Sequence, residues 1–138
     1  MSLIDELLKA DIGQIEDKAT VKVLKLSKLL GKDVEVTVQA IDGRKYRDIR
    51  NMATETKKGK TTFNIGAFQD NIALNGIIEP SLKDKALLDK FGVATPIELM
   101  DKIFYPGDIN KISTKISELS GFDEEDDDAE SVDEQVKN

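Results

Sequence analysis

The side chains that carry most protein chemistry are missing from this chain, which has no His and no Cys. With no His, no imidazole can serve as general base or as metal ligand. Without thiols there is no thiolate nucleophile, no thiolate metal site and no disulfide. Ser-His-Asp and Cys-His catalysis are thereby excluded, and so is most zinc chemistry. The carboxylate pairs Asp84 with Asp89 and Glu98 with Asp101 fall on expected helix surfaces rather than in a cleft. Gly59-Lys60-Thr61 lacks the upstream Gly of a phosphate-cradling loop and follows no expected strand. The acidic run Asp123–Asp128 lacks the alternating ligands and central Gly of an EF-hand loop. No catalytic residue, cofactor site or metal site is assigned, and the chain is read as a non-enzyme.

What remains is binding chemistry, in two places. Between residues 44 and 60 stand Arg44, Lys45, Arg47, Arg50, Lys57, Lys58 and Lys60 against Asp48 and Glu55, a net of +5. Such a cluster suits an acidic protein surface, the chain's own acidic end or a nucleic-acid backbone, and a plain solvated face has the same composition. Nucleic acid is the weakest of the binding readings. The nearby aromatics are Tyr46 and Phe63, Tyr46 falls on an apolar helix face, and the acidic end competes for the patch. The second place is the N-terminus. Leu3, Ile4, Leu7 and Leu8 form i,i+4 pairs over residues 2–10, with Ser2 as cap and Asp5 at the capping-box position. A helix that short is unstable alone in water, so its apolar face must dock on a partner, on a second copy or on the chain's own body. Candidate partner-binding residues are therefore Leu3, Ile4, Leu7, Leu8, Arg44, Lys45, Arg47 and Arg50.

The scaffold that positions them follows from composition and punctuation. The chain has 138 residues, 34% charged and 39% apolar, enough for one compact domain with a tail. No apolar run is long enough to span a membrane, and the N-terminus does not have the pattern of a secretory signal. The charge is unevenly placed: residues 123–138 carry nine acids and one Lys, a net of −8, while residues 1–122 are close to neutral at +1. The expected organisation is an N-terminal amphipathic helix over 1–14, an α+β domain over 15–122 and a disordered acidic tail over 123–138.

Within the domain, residues 20–41 read as a β-hairpin. Val21 and Val23 share one face of its first strand, Leu24, Leu26 and Lys28 the other. Leu30-Gly31-Lys32-Asp33 is the turn, and Val34, Val36, Val38 and Ala40 alternate with polar residues in the second strand. Lys22, Lys25 and Lys28 break the alternation with a spacing of three. A helix over 44–53 has Tyr46, Ile49, Met52 and Ala53 on one face. Residues 54–62 contain no apolar side chain and are expected to be a solvated, mobile loop, followed by a short strand at Phe63 and Ile65 and a helical face at Phe68, Ile72 and Ala73. Three helices follow. The first is capped by Ser81 and bears Leu87, Leu88 and Phe91. The second opens at Thr95-Pro96 with Glu98 closing the capping box. The third opens at Pro106-Gly107-Asp108, carries the stripe Ile109, Ile112, Ile116 and Leu119, and ends in a Schellman turn at Gly121-Phe122. Ile112 and Ile116 are expected to pack on the helices that bear Leu87 and Met100. The fold class is thus α+β: a small antiparallel sheet packed with a mainly helical C-terminal half.

Four segments in order, Ile77-Ile78-Glu79-Pro80-Ser81-Leu82, Phe91-Gly92-Val93-Ala94-Thr95-Pro96-Ile97-Glu98-Leu99, Tyr105-Pro106-Gly107-Asp108-Ile109 and Leu119-Ser120-Gly121-Phe122, resemble the XkdN-like tail assembly chaperones of contractile-tailed phages and prophages. The resemblance covers about a third of the chain firmly. It implies a non-enzymatic chaperone of the host cytoplasm that binds the long, aggregation-prone tape-measure protein before the tail tube polymerises around it. It further implies absence from the finished virion, no cofactor, and other tail proteins or a second copy as further partners. In many phages a frameshift near the end of such a gene yields a longer form. The segments are helix caps and turns, so they specify a fold and assign no contact residue. The alternatives are a structural tail or baseplate protein retained in the virion and a small nucleic-acid-associated protein using the cluster at 44–60.

Overall fold

The structure, a computed structural model, describes residues 2–15 and 17–122. The acidic end expected to be a tail lies outside the described residues. The element order is α1 (Leu3–Lys9), a 3-10 turn (Ile12–Gln14), β1 (Lys18–Val23), α2 (Leu24–Leu30), β2 (Val34–Gln39), α3 (Gly43–Met52), β3 (Thr54–Lys57), β4 (Lys60–Phe63), α4 (Ile65–Gly76), β5 (Ile77–Glu79), α5 (Lys85–Lys90), α6 (Pro96–Ile103) and α7 (Pro106–Leu119). Helices dominate two small antiparallel sheets, so the class is α+β as expected. The main sheet has the order β1-β2-β5, and β3 and β4 form a separate ribbon.

β1 and β2 pair antiparallel from Lys18↔Gln39 to Val23↔Val34, and the alternation puts Val21, Val23, Val36 and Val38 on the buried face. The connection between them departs from the hairpin reading. Leu24–Leu30 is not a continuation of the first strand into a tight turn but the helix α2, closed by Gly31 at φ +70°. The three-residue lysine spacing was its mark. Lys25 and Lys28 stand on one side of α2, with their ammonium groups 5.4 and 5.3 Å from the ring centre of Tyr105. Ser27 ties α2 down, since its hydroxyl accepts from the Val34 N–H at 2.9 Å.

Three further expectations are corrected. Residues 54–63 form a β-ribbon, not a loop. Lys58 and Gly59 both have positive φ, +51° and +79°, the requirement of a type I′ turn. Every residue of the ribbon's strands is exposed, so no alternation marks it, and only the run of threonines does. Phe63 ends β4 whereas Ile65 opens α4, so the two do not share a strand. The cap of α5 is Asp84 rather than Ser81: Leu87 N–H donates to Asp84 Oδ1 at 3.0 Å. The aspartate is nearer the first periodic leucine and accepts more strongly than a hydroxyl. The short third strand β5, which pairs Ile77 with Val38, was not anticipated.

The core lies between the main sheet and α4, α6 and α7. Ile72, Leu99, Ile112 and Ile116 are fully buried there. α7 packs chiefly on α4, β1 and β2, and Ile112 and Ile116 share one core cluster with Met100, against which Leu87 packs. α4 approaches α7 at Gly76. A Cβ there would meet Ile116, within 2.7 and 2.8 Å of Cγ1 and Cγ2. Gly76 is required by this contact and not by its dihedral angles. Ile112→Ala should cost about 2–5 kcal/mol in denaturant unfolding. Gly76→Ala should cost about 1–3 kcal/mol through overpacking, although Ala is the better helix former.

One buried acid joins the layers. Asp108, in the first turn of α7, is 2% exposed. Its Oδ1 accepts from Leu24 N–H at 2.7 Å, and its Oδ2 accepts from Tyr105 N–H at 2.9 Å and Lys25 N–H at 3.2 Å. It thus closes the start of its own helix and also the start of α2, whose N-cap residue Val23 has no side-chain oxygen. Burial alone would raise the carboxyl's pKa. The three N–H donors and the Lys111 charge outweigh it and hold the group below its ordinary 3.8. A folded value below the unfolded one adds stability that is full above the unfolded value and is lost as pH falls through the folded value. Asp108→Asn places an NH2 against N–H donors and should cost about 2–4 kcal/mol at pH 7. The gap between variant and wild type should narrow in unfolding titrations taken into acid.

Candidate partner-binding surfaces

The first candidate surface is the N-terminal arm. Asp5 N–H donates to Ser2 Oγ at 3.3 Å and Ser2 Oγ donates to Asp5 Oδ2 at 3.0 Å, so α1 begins at its expected cap. No residue of α1 is buried. Leu3, Ile4, Leu7 and Leu8 are 63–79% exposed, and Ile12 and Ile15 extend the apolar series at 83% and 58%. Among the described residues, the chain's own body does not cover this helix. Where the arm joins the domain, Ile15, Lys18, Ile41 and Leu119 line an open cleft of about 430 Å³.

The second surface is α3 with the β3–β4 ribbon. Asp42 caps α3, its Oδ1 accepting from Lys45 N–H at 2.9 Å. Ile49 faces the core. Met52, expected on the same face, is 73% exposed, because the chain leaves the helix there and Ala53 takes the buried place. Tyr46 lies half-buried in an aromatic group: its ring meets Phe68 edge-on at 5.6 Å and stacks on Phe122 at 4.8 Å, and Phe63 stands 5.3 Å from Phe68. Arg44, Lys45, Arg47 and Arg50 are all exposed. The ribbon packs beside α3 and adds exposed Lys57, Lys58 and Lys60 around its turn. Lys57 pairs with Glu55 at 3.1 Å, whereas among the described residues no ion pair engages the four cations of α3. The structure therefore brings the seven basic residues onto two adjacent elements. The Tyr46–Phe122 stack had no signal in the sequence beyond the apolar residue after the helix-ending Gly.

Elsewhere the titrating groups are sparse. Asp70 of α4 is raised above its ordinary value, first by burial and then by the charge of Asp101. Among the described residues no three His, Cys, Asp or Glu side chains converge to hold a metal. No helix among them is long and apolar enough to cross a membrane.

The family model of the phage XkdN-like tail assembly chaperone proteins matches residues 4–136. The chain belongs to that family. An XkdN-like tail assembly chaperone acts in building the phage tail, and tail proteins are its partners. The crystal structure of the protein YqbN is similar to this chaperone with a TM-score of 0.58 and 23% identity, over 82% of this chain and 93% of that one. That likeness shows a shared fold. No curated protein matches this chain. The segments behind the sequence resemblance are structural in the XkdN-like fold seen here. The P-G-D-I segment contains Asp108, and the closing L-S-G-F segment makes a Schellman turn, with Phe122 N–H donating to Ser117 O at 3.0 Å.

Because the arm contributes nothing to the core, polar substitution there should leave the domain intact. The double change Leu3→Ser and Leu7→Ser should shift unfolding stability by less than about 0.5 kcal/mol. Ile49→Ala, on the buried face of α3, should lower it by about 2–5 kcal/mol in the same urea titration.

Proposed function

We propose that this chain is a non-enzymatic chaperone that binds the tape-measure protein in the host cytoplasm and keeps it soluble until the tail tube polymerises around it. The chaperone is then left out of the finished virion. In this reading residues 1–14 are a binding arm, residues 15–122 the chaperone domain and residues 123–138 an acidic extension that keeps the complex in solution. Leu3, Ile4, Leu7 and Leu8 contact the client. Arg44, Lys45, Arg47 and Arg50 form a separate surface for acidic groups.

The observation that carries the reading is the uncovered arm. Six large apolar side chains from Leu3 to Ile15 are more than half exposed. Fully burying such a side chain is worth about 1.5–3 kcal/mol, so covering even part of the series supplies useful affinity. A tape-measure protein that is long and aggregation-prone offers apolar surface against which a short amphipathic helix can dock. A closed core behind the arm lets the chaperone stay folded whether or not a client is bound. No nucleotide-cradling loop is present in the sequence, so holding and release run on binding equilibria alone.

Co-expression tests this directly. A tape-measure segment that precipitates alone should stay in the soluble fraction with the full chain, without ATP, and should precipitate again with the Leu3→Ser, Leu7→Ser variant. Equal solubility with and without the chain would overturn the reading. Mass spectrometry of purified particles should find no peptide of this chain, and its presence at structural copy number would move it to the tail or baseplate proteins.

A further inference from the structure

The basic face of α3 has a resident candidate occupant in the same chain. The C-terminal end of α7 is turned by Gly121 at φ +100°, with Gly121 N–H donating to Glu118 O at 3.1 Å and Phe122 N–H to Ser117 O at 3.0 Å. That turn delivers Phe122 onto Tyr46, where the rings stack at 4.8 Å with 25° between their planes. Tyr46 is flanked in sequence by Lys45 and Arg47, and Arg50 lies one helical turn further along. The next residues after Phe122 are six consecutive acids, Asp123–Asp128. The most acidic segment of the chain therefore begins at the residue after Phe122, which is held beside the most basic helix.

We propose that the face bearing Arg44, Lys45, Arg47 and Arg50 is the docking surface for the chain's own acidic segment 123–130. The segment acts as a built-in competitor against other acidic or polyanionic ligands. The charges match: seven acids in 123–130 meet a cluster of net +5. The reach matches as well. A linker of eight residues spans about 15–17 Å, and a ten-residue helix is about 15 Å long. Exposed ion pairs contribute only about 0–1 kcal/mol each, so the contact is an exchanging set of pairs rather than one geometry. The tether makes it effective. A short linker holds its ligand at millimolar effective concentration, and an outside anion must out-compete that before it is bound. The inference does not depend on the tape-measure reading, since the competitor works against any acidic partner.

The absence of Cys makes a clean test possible on the full chain. A nitroxide on Ser131→Cys should broaden the amide resonances of Arg44–Arg50 and Lys57–Lys60 at about 50 mM salt. The broadening should fall severalfold at about 0.5 M salt, where the Debye length shrinks to a few ångströms. It should fall equally in an Arg44→Glu, Arg47→Glu, Arg50→Glu variant whose remaining spectrum reports an intact fold. Truncation after Phe122 should tighten binding of a poly-aspartate peptide about tenfold or more at low salt. Broadening indifferent to salt and to charge reversal would mean mere proximity to Phe122 and would overturn the proposal. So would broadening that passes to unlabelled molecules in a mixed sample, which would place the segment on a second copy. If truncation tightens binding to duplex DNA but not to the acidic peptide, the surface is a nucleic-acid site and the competitor of acidic protein partners is disproved.

Discussion

A single buried carboxylate closes the starts of two helices that lie far apart in the chain. Asp108 accepts three backbone N–H groups, two of them from residues 83 and 84 positions earlier in the chain. Each is a donor that a helix start leaves without an intrahelical partner. An apolar residue could fill the space but would strand those donors away from water. A hydroxyl could serve only part of them. Ionised Asp has two oxygens with room for all three, and its interactions are charge-assisted. The end of β1, the start of α2 and the start of α7 are fixed to one another through this group. The core faces of the sheet and of α7 meet in the register that buries Val23, Ile112 and Ile116 completely.

Around that junction the molecule divides its apolar residues between two tasks. The buried apolar residues of β1, β2, α4, α6 and α7 belong to one cluster. The apolar residues of α1 and the 3-10 turn face outward. Because no residue of the arm enters the core, its sequence is free to suit a partner without a cost to folding. The same separation holds for α3, where Ile49 and Tyr46 serve the interior and the four cations do not. The apolar and basic side chains proposed to bind partners thus lie outside the core.

How far the sequence alone reaches depends on whether a signal is local. α6 and α7 were legible because their starts and ends are written nearby: Thr95 and Glu98 bond to each other, and Gly121-Phe122 completes its turn within six residues. The valines of β2 were legible because one face is buried and the other is not. α2 was misread because Leu24-Lys25-Leu26 imitates a strand and its cap comes from Asp108, far along the chain. The β3–β4 ribbon was misread because both faces are wet, so its period of two leaves no hydrophobic trace. The candidate surfaces follow the same rule. Leu3, Ile4, Leu7 and Leu8 were visible as apolar residues in a helix too short to stand alone, and the α3 cations as a charge cluster. The stack of Phe122 on Tyr46, which holds the end of α7 beside α3, joins residues 76 positions apart and has no local signature.

The long span between Leu24 and Asp108 also imposes an order in time. The backbone donors at the start of α2 leave the ribosome well before the carboxylate that will accept them. Eighty-four residues at about 5–20 residues per second is a delay of about 4–17 s. Throughout it β1 and β2 can pair, but the inner face of their sheet has no α7 to lie against. The N-terminal arm is different: the apolar residues of α1 lie within the first ten positions and none of them is buried against a later element. Synthesis therefore exposes the arm first and closes the domain last. For those seconds the nascent chain carries its apolar arm ahead of an unfinished core, and contacts of high sequence separation set the pace at which that core closes.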